Sequence, residues 1–275
     1  MKLFSEDQLE FLVSGMVTVV GVPFDEHSSF MKGPAMAPPR IREVLHSGST
    51  TLSAEDGTDL SMESRFYDLG DLQLSENPFE TIENAITTLL DHGTHILSLG
   101  GDHIITYPIL KAYTRKYPDL TVVQLDAHPD LYEELDGDRF SHACPFARIM
   151  EEALVKRLIQ VGIRTLNKHQ REQAKRFDVE IFEMKEYTPV LDIALDGPVY
   201  LSLDMDVLDP AFAPGVSHHE PGGLSTRDLL RTIHSIDAQI VGADIVEFNP
   251  KRDPLGITAM AAAKLLKEIA AAMLE

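Results

Sequence analysis

The sequence predicts an α/β fold, a three-layer αβα sandwich around a central, mainly parallel sheet of about eight strands. Three observations predict it. Short apolar runs alternate with amphipathic helical stretches from one end of the chain to the other. Several of these runs are apolar at consecutive positions, as strands buried on both faces are. Polar residues cluster directly after the runs, where the carboxyl ends of parallel strands would gather them.

The predicted strands are, in order, Met16–Val22, Arg65–Leu69, His95–Leu99, Thr121–Leu125, Leu158–Gly162, Val179–Phe182, Val199–Leu203 and Ile240–Val246. Between the second and third lies Pro78–Leu90. Its Phe79, Ile82, Ala85, Ile86, Leu89 and Leu90 form one stripe at helical period. Asn77 is the candidate N-cap of this helix and Gly93 its candidate terminator. Ser225 is the expected cap of a helix running to His234, with Asp228 three residues on. Thr258–Leu274 is alanine-rich and closes the chain as a helix. No repeat or linker interrupts this order, which argues for one domain over residues 1–275 with helices on both faces of the sheet.

Composition narrows the function classes. A chain of 275 residues, 44% hydrophobic and 25% charged, is an ordinary globular protein. No apolar run reaches the roughly 18 residues a membrane-spanning helix needs. The opening Met1–Asp7 lacks the basic-then-apolar order of a signal peptide, and the single cysteine, Cys144, excludes an intramolecular disulfide. A cytoplasmic protein is the expectation. The net charge of −20 argues against nucleic acid and anionic membranes as partners. It suits a cationic substrate, although acidic surfaces also serve solubility alone.

The chemistry is concentrated after the strands. Asp126-Ala127-His128-Pro129-Asp130 places a potential metal ligand at every second residue, a spacing that points all three the same way at a strand end. Asp204-Met205-Asp206 repeats the device after Val199–Leu203, and Gly100-Gly101-Asp102-His103 follows His95–Leu99. Several buried carboxylates would repel one another and raise their pKa values unless cations held them. Four carboxylates and two imidazoles make an oxygen-rich set suited to Mn²⁺ more than to thiolate-seeking metals.

Further segments accompany these motifs. Gly21-Val22-Pro23-Phe24-Asp25, Gly33-Pro34, Pro39-Arg40-Ile41-Arg42 and Tyr67-Asp68-Leu69-Gly70-Asp71 precede them. Ser202–Pro210, Pro214-Gly215, Glu247-Phe248-Asn249-Pro250 and Thr258-Ala259 complete the series. In this order and spacing the chain resembles the ureohydrolase superfamily, the arginases and agmatinases, over almost its whole length. The resemblance implies the arginase-like fold, two Mn²⁺ ions and a homotrimer or homohexamer. It implies that His103 and Asp130 bind one ion, that His128 and Asp206 bind the other, and that Asp126 and Asp204 bridge them. Asp102 is expected to brace the turn or a ligand.

The implied reaction is hydrolysis of a guanidino compound to urea and an amine. Two ions roughly 3.5–4 Å apart would activate the attacking water. Glu247, after Ile240–Val246, is similar to the carboxylate that grips the guanidinium, and its two oxygens match two N–H groups. His142 resembles the family's proton-shuttling histidine, and its ordinary pKa suits that work near neutrality. Asp130 would help stabilise the tetrahedral intermediate. Cys144 is read as a packing residue.

Agmatine, giving putrescine and urea as a step of polyamine biosynthesis, is the leading substrate of this reading. The Ser141–Phe146 segment and the short chain favour it. Glu133, Glu134, Asp136 and Asp138 in the loop 131–140 would suit an amine-ended substrate, or be solvated loop charge. Arginine, guanidinobutyrate and guanidine stay open. The loop Gly215–Gly223 departs from the family's small Thr/Gly-rich pattern. Its His218 and His219 are read as substrate-pocket wall or filler, with metal ligation as an alternative. A single-zinc deacetylase-like amidohydrolase is the second enzymatic reading, which the six ligands disfavour. A non-catalytic relic is the third, and no ligand is missing.

Overall fold

A computed structural model describes residues 3–190 and 193–275. Met1 and Lys2, where the reading against a signal peptide begins, lie outside the described residues. Eight strands form the sheet: β1 Val17–Gly21, β2 Phe66–Asp71, β3 His95–Leu99, β4 Thr121–Leu125, β5 Arg157–Ile163, β6 Glu180–Glu183, β7 Val199–Asp204 and β8 Ile240–Val246. Their order is β2-β1-β3-β8-β7-β4-β5-β6, and every pairing is parallel. Each expected strand is present, displaced by no more than two residues at an end.

Helices cover both faces. On one side α2 (Ala37–Leu45), α7 (Thr226–His234) and α8 (Ile257–Leu274) pack on Val17, Val19, Leu97, Val123, Leu201 and Ile245. On the other, α3 (Pro78–Asp91), α4 (Thr106–Thr114), α5 (Pro145–Glu151) and α6 (Lys168–Arg176) pack on Val20, Ile96, Val122, Leu158 and Val241. Successive strand residues alternate between the two cores, which is why the strands read as apolar runs. A short α1 (Glu6–Phe11) opens the described chain. Ser225 caps α7 by accepting from Asp228 N–H. Asn77 precedes α3 but makes no side-chain cap; Pro78 at the first position has no N–H to satisfy there. Gly93 ends α3 with a left-handed φ of 79°.

One polar row crosses this apolar sheet. Ser98, Asp244, Ser202, Gln124 and Gln160 are register partners on β3, β8, β7, β4 and β5, and all five are fully buried. The row lies one to three residues below the carboxyl ends of these strands. β1 and β2 are different. Asp68 and Asp71, expected with the other strand-end acids, are bound by Arg42 at the sheet edge and do not join the site.

Candidate metal centre

The carboxyl ends of β3, β4, β7 and β8 bring the predicted ligands together. Asp126 directly follows β4, and its Oδ1 accepts the His128 N–H at 2.6 Å. Asp204 ends β7, and its Oδ1 accepts the Asp206 N–H at 2.7 Å. In both motifs the first aspartate fixes the backbone that presents the next ligand. The Ala127 N–H donates to Asp206 Oδ1 at 3.2 Å and ties the two loops together. Asp130 reaches inward through a left-handed backbone, φ 48°, an uncommon state for a residue with a Cβ. His103 sits on the turn after β3. That turn presses against the loop after β1, where a Cβ on Gly101 would lie 1.6 Å from Phe24 O.

Two ligand groups result. His103 Nδ1 lies 3.0 Å from Asp130 Oδ2, 3.2 Å from Asp126 Oδ2 and 3.2 Å from Asp204 Oδ2. His128 Nδ1 lies 3.0 Å from Asp206 Oδ2 and 3.6 Å from Asp126 Oδ1. Asp126 therefore belongs to both groups, with one oxygen turned to each. Asp204 is brought to the His103 group, its other oxygen being taken by the Asp206 N–H.

His103 Nδ1 is buried and has no hydrogen-bond partner despite three nearby oxygens, which lie off the direction an N–H would take. Its Nε2 explains this. Nε2 lies 3.0 Å from Ser202 Oγ, and Ser202 gives its only proton to Asp244 Oδ1 at 2.8 Å. Ser202 must therefore accept from Nε2–H, which leaves Nδ1 as the ring nitrogen that faces the carboxylates. Asp244 is held in turn by the Thr106 and Tyr200 hydroxyls, each at 2.8 Å. Gln124 donates to Asp126 Oδ2 at 2.7 Å, and Gln160 donates to Gln124 at 2.6 Å. The polar row of the sheet is thus the support of the ligands.

The electrostatics fit cation binding. Burial, followed by the charges of Asp206 and Asp126, pushes Asp204 well above the usual carboxylate range. Burial and the Asp126 charge raise Asp130 to about 6. Burial opposes charge on His103, but the carboxylates around it outweigh that cost and raise its pKa well above the ordinary value. Among the described residues no lysine or arginine side chain pairs with Asp126, Asp130, Asp204 or Asp206. Oxygen-rich groups with two imidazoles among them and no lysine or arginine counter-ion fit divalent cations.

Beside the ligands lies a cavity of about 180 Å³, lined in part by His128, Asp130, His142, His218 and Glu247. Glu247 is 4% exposed and left-handed, φ 61°. Its Oε1 accepts the His103 N–H at 3.0 Å and lies 2.8 Å from His142 Nδ1. Burial disfavours charge on His142, but Glu247 outweighs it and raises the imidazole to about 9. His142 and Glu247, both candidate site residues in the sequence, line this one cavity. His218 also lines it, stacked on His142 at 5.1 Å. His219 points away, to Pro214 O at 2.7 Å. Asp102 braces the loop after β1, accepting from His27 N–H and Ser28 Oγ, each at 3.2 Å. Cys144 is buried, and burial pushes its thiol up to about 12, so it is no nucleophile.

Of the two readings of the acidic loop 131–140, a wall facing the substrate or solvated charge, the structure favours the second. Asp136 and Gly137 both have positive φ, 53° and 82°, in a tight turn closed by the Leu135 and Asp138 backbones. The turn places Leu135 and Tyr132 in the cavity lining and sends Asp138 to His27 at 2.7 Å. None of Glu133, Glu134, Asp136 and Asp138 lines the cavity; Ala143, Thr165 and Gln170 stand beside Leu135 and Tyr132 instead.

The fold and site define an α/β protein with two oxygen-rich groups that could hold cations at the carboxyl edge of a parallel sheet. The chain belongs to the arginase family, whose model, described as "Arginase family", matches residues 16–272. It is 46% identical to "Arginase 1, mitochondrial" of Arabidopsis thaliana, over 92% of this chain and 80% of that protein. It is 35% identical to an agmatinase of Bacillus anthracis, over 98% of this chain and 95% of that one. Among solved structures it superposes on an arginase from Medicago truncatula with a TM-score of 0.88 at 39% identity, covering 97% of this chain and 91% of the other. The chain is a hydrolase of guanidino compounds.

Proposed function

We propose that the protein hydrolyses L-arginine to L-ornithine and urea with two Mn²⁺ ions per chain. The observation that carries the reaction is the shared cavity: two ligand groups joined through Asp126 open onto the His142–Glu247 pair. His103, Asp126 and Asp130 would hold one ion and Asp126, His128 and Asp206 the other, with Asp204 as a second bridging carboxylate. Such a pair of ions supplies a water of lowered pKa.

The chain's own residues do the rest. Glu247 faces the cavity with a carboxylate suited to two guanidinium N–H groups. Hydrolysis breaks a C–N bond and must deliver a proton to the departing amine. His142, protonated between its partners, is the residue placed to carry that proton.

Arginine is preferred over agmatine on two grounds. The chain is 46% identical to an arginase and 35% to an agmatinase. The cavity lining also holds none of Glu133, Glu134, Asp136 and Asp138, the acids that favoured an amine-ended substrate. Agmatine stays the second reading, because the chain's charge of −20 favours a substrate without a carboxylate. Urea release with Mn²⁺ across arginine, agmatine, guanidinobutyrate and guanidine decides. We expect kcat/KM for arginine to exceed that for agmatine at least about tenfold, or about 1.4 kcal/mol of transition-state preference. The reverse order would return agmatine to the lead.

A further inference from the structure

The His142 ring makes two hydrogen bonds. Nδ1 faces Glu247 Oε1, and Nε2 lies 2.8 Å from the hydroxyl of Ser29. Ser29 is exposed at the surface and at the same time lines the cavity that holds the ligands. A chain of contacts therefore runs from the His103 backbone N–H through Glu247 and His142 to Ser29 and out to water.

Ser29 is not a free loop residue that happens to touch the ring. Its loop is fastened at three points. Asp102 accepts from His27 N–H and Ser28 Oγ. The His142 N–H donates to His27 O at 3.1 Å, so the histidine holds the same segment by its own backbone. Asp25 accepts from Gly33 N–H at 2.7 Å and Ala35 N–H at 3.2 Å and closes the far side of the loop. The serine is thus placed by the turn that places His103 and by the residue it contacts.

We propose that Ser29 serves His142 in two ways: it fixes the ring against Glu247 and relays the Nε2 proton into the cavity. The proposal rests on the guanidino-hydrolase reading of the site. In the relay the Nε2–H proton passes to Ser29 Oγ as the Oγ–H proton passes to the departing amine nitrogen. One N–H bond breaks on the ring, one forms on the amine, and the hydroxyl is regenerated. His142 is left neutral with its Nδ1–H on Glu247. The reverse transfer, from a hydronium ion through Ser29, restores its proton. The serine supplies the hydroxyl that both directions need, and its exposure supplies the route to water.

The test uses the Mn²⁺-loaded protein. Ser29→Ala is expected to lower kcat by about tenfold or more, within the range of a proton-transfer contribution, while KM stays within about twofold. Metal content should remain that of the wild type. Ser29→Thr keeps the hydroxyl and should recover most of the rate. Added imidazole buffer should raise the rate of Ser29→Ala with concentration and leave the wild type unchanged, an effect that packing alone would not give. Wild-type kcat in Ser29→Ala would overturn the proposal, as would a loss that neither threonine nor buffer repairs. A second measurement needs no turnover. Carbethoxylation at His142, read by mass spectrometry, should run several-fold faster in Ser29→Ala because Nε2 loses its partner. Equal labelling rates would show that the serine does not hold the ring. If the wild type releases no urea from any guanidino compound, the functional reading falls, while labelling still tests the contact.

Discussion

Two edges of one sheet hold buried acids in different company. At the amino edge Glu268 of α8 is 2% exposed, yet it is paired with Lys264, with His234 at 2.9 Å and with the Glu55 N–H at 3.0 Å. Glu55 itself pairs with Arg227 at 2.6 Å and Lys264 at 3.3 Å. At the carboxyl edge Asp126, Asp130, Asp204 and Asp206 face one another with only two imidazoles between them. The amino edge also has the larger cavity, about 950 Å³ against about 180 Å³. Size therefore does not mark the site here. What marks it is buried negative charge for which the chain provides no lysine or arginine.

The comparison can be broken first at the shared ligand. Asp126→Asn should lose bound metal and lower kcat/KM by more than the roughly 10–100-fold typical of outer-shell partners. Metal analysis beside the urea assay reads both. Full metal content with near-normal turnover would remove Asp126 from the bridge.

A middle-sized effect separates the edges by stability alone. Glu268→Gln should cost about 1–3 kcal/mol, because Lys264, His234 and the Glu55 N–H lose a charged acceptor. Asp204→Asn in the metal-free protein should cost nothing or stabilise it. Asp204 has a folded pKa raised above its unfolded value, so its contribution is fullest below the ordinary carboxylate range and declines as pH rises. Urea denaturation of both variants measures this, and equal losses at the two edges would erase the distinction.

The smallest effect lies in acid. Hydrogen bonding to Arg227 lowers Glu55 to about 2, against a desolvation that raises it, with Lys264 adding to the lowering. A lowered carboxylate contributes above its ordinary pKa of 4.5 and loses that contribution as pH falls toward 2. The group is exposed, so solvent screening keeps the contribution below about 1 kcal/mol. Arg227→Ala should flatten this part of the stability profile below pH 4.5. An unchanged slope would show that the pair adds nothing.

How far the sequence carried this reading follows from particular residues. The strands were legible because β4, β7 and β8 are apolar toward both cores. The ligands were legible because their i, i+2 spacing stands at strand ends. Helix α6, KHQREQAKR, was not, since it has almost no apolar stripe. Helix α2 hides behind Pro38 and Pro39, which its first turn accommodates. The supports of the metal site were missed, although a trace was present. Gln124, Gln160, Ser202 and Asp244 are each an isolated polar residue inside an apolar run. Ser29 left no trace, because 113 residues separate it from His142 and only the folded loop joins them. The positive φ of Asp136 was equally invisible, and it turned the supposed acidic wall outward.

The polar row across the sheet has a consequence for how the chain folds. Strands that are apolar on both faces could slide past one another with little loss of burial, so hydrophobicity alone sets their alignment weakly. Here a shift of one residue on β8 would carry Asp244 to the opposite face, among leucines and valines, without its three hydroxyl partners. The cost of an unsatisfied buried carboxylate then rejects the misaligned pairing. The residues that hold the ligands steady also let the sheet accept one alignment, so the metal site and the correct strand pairing arise together.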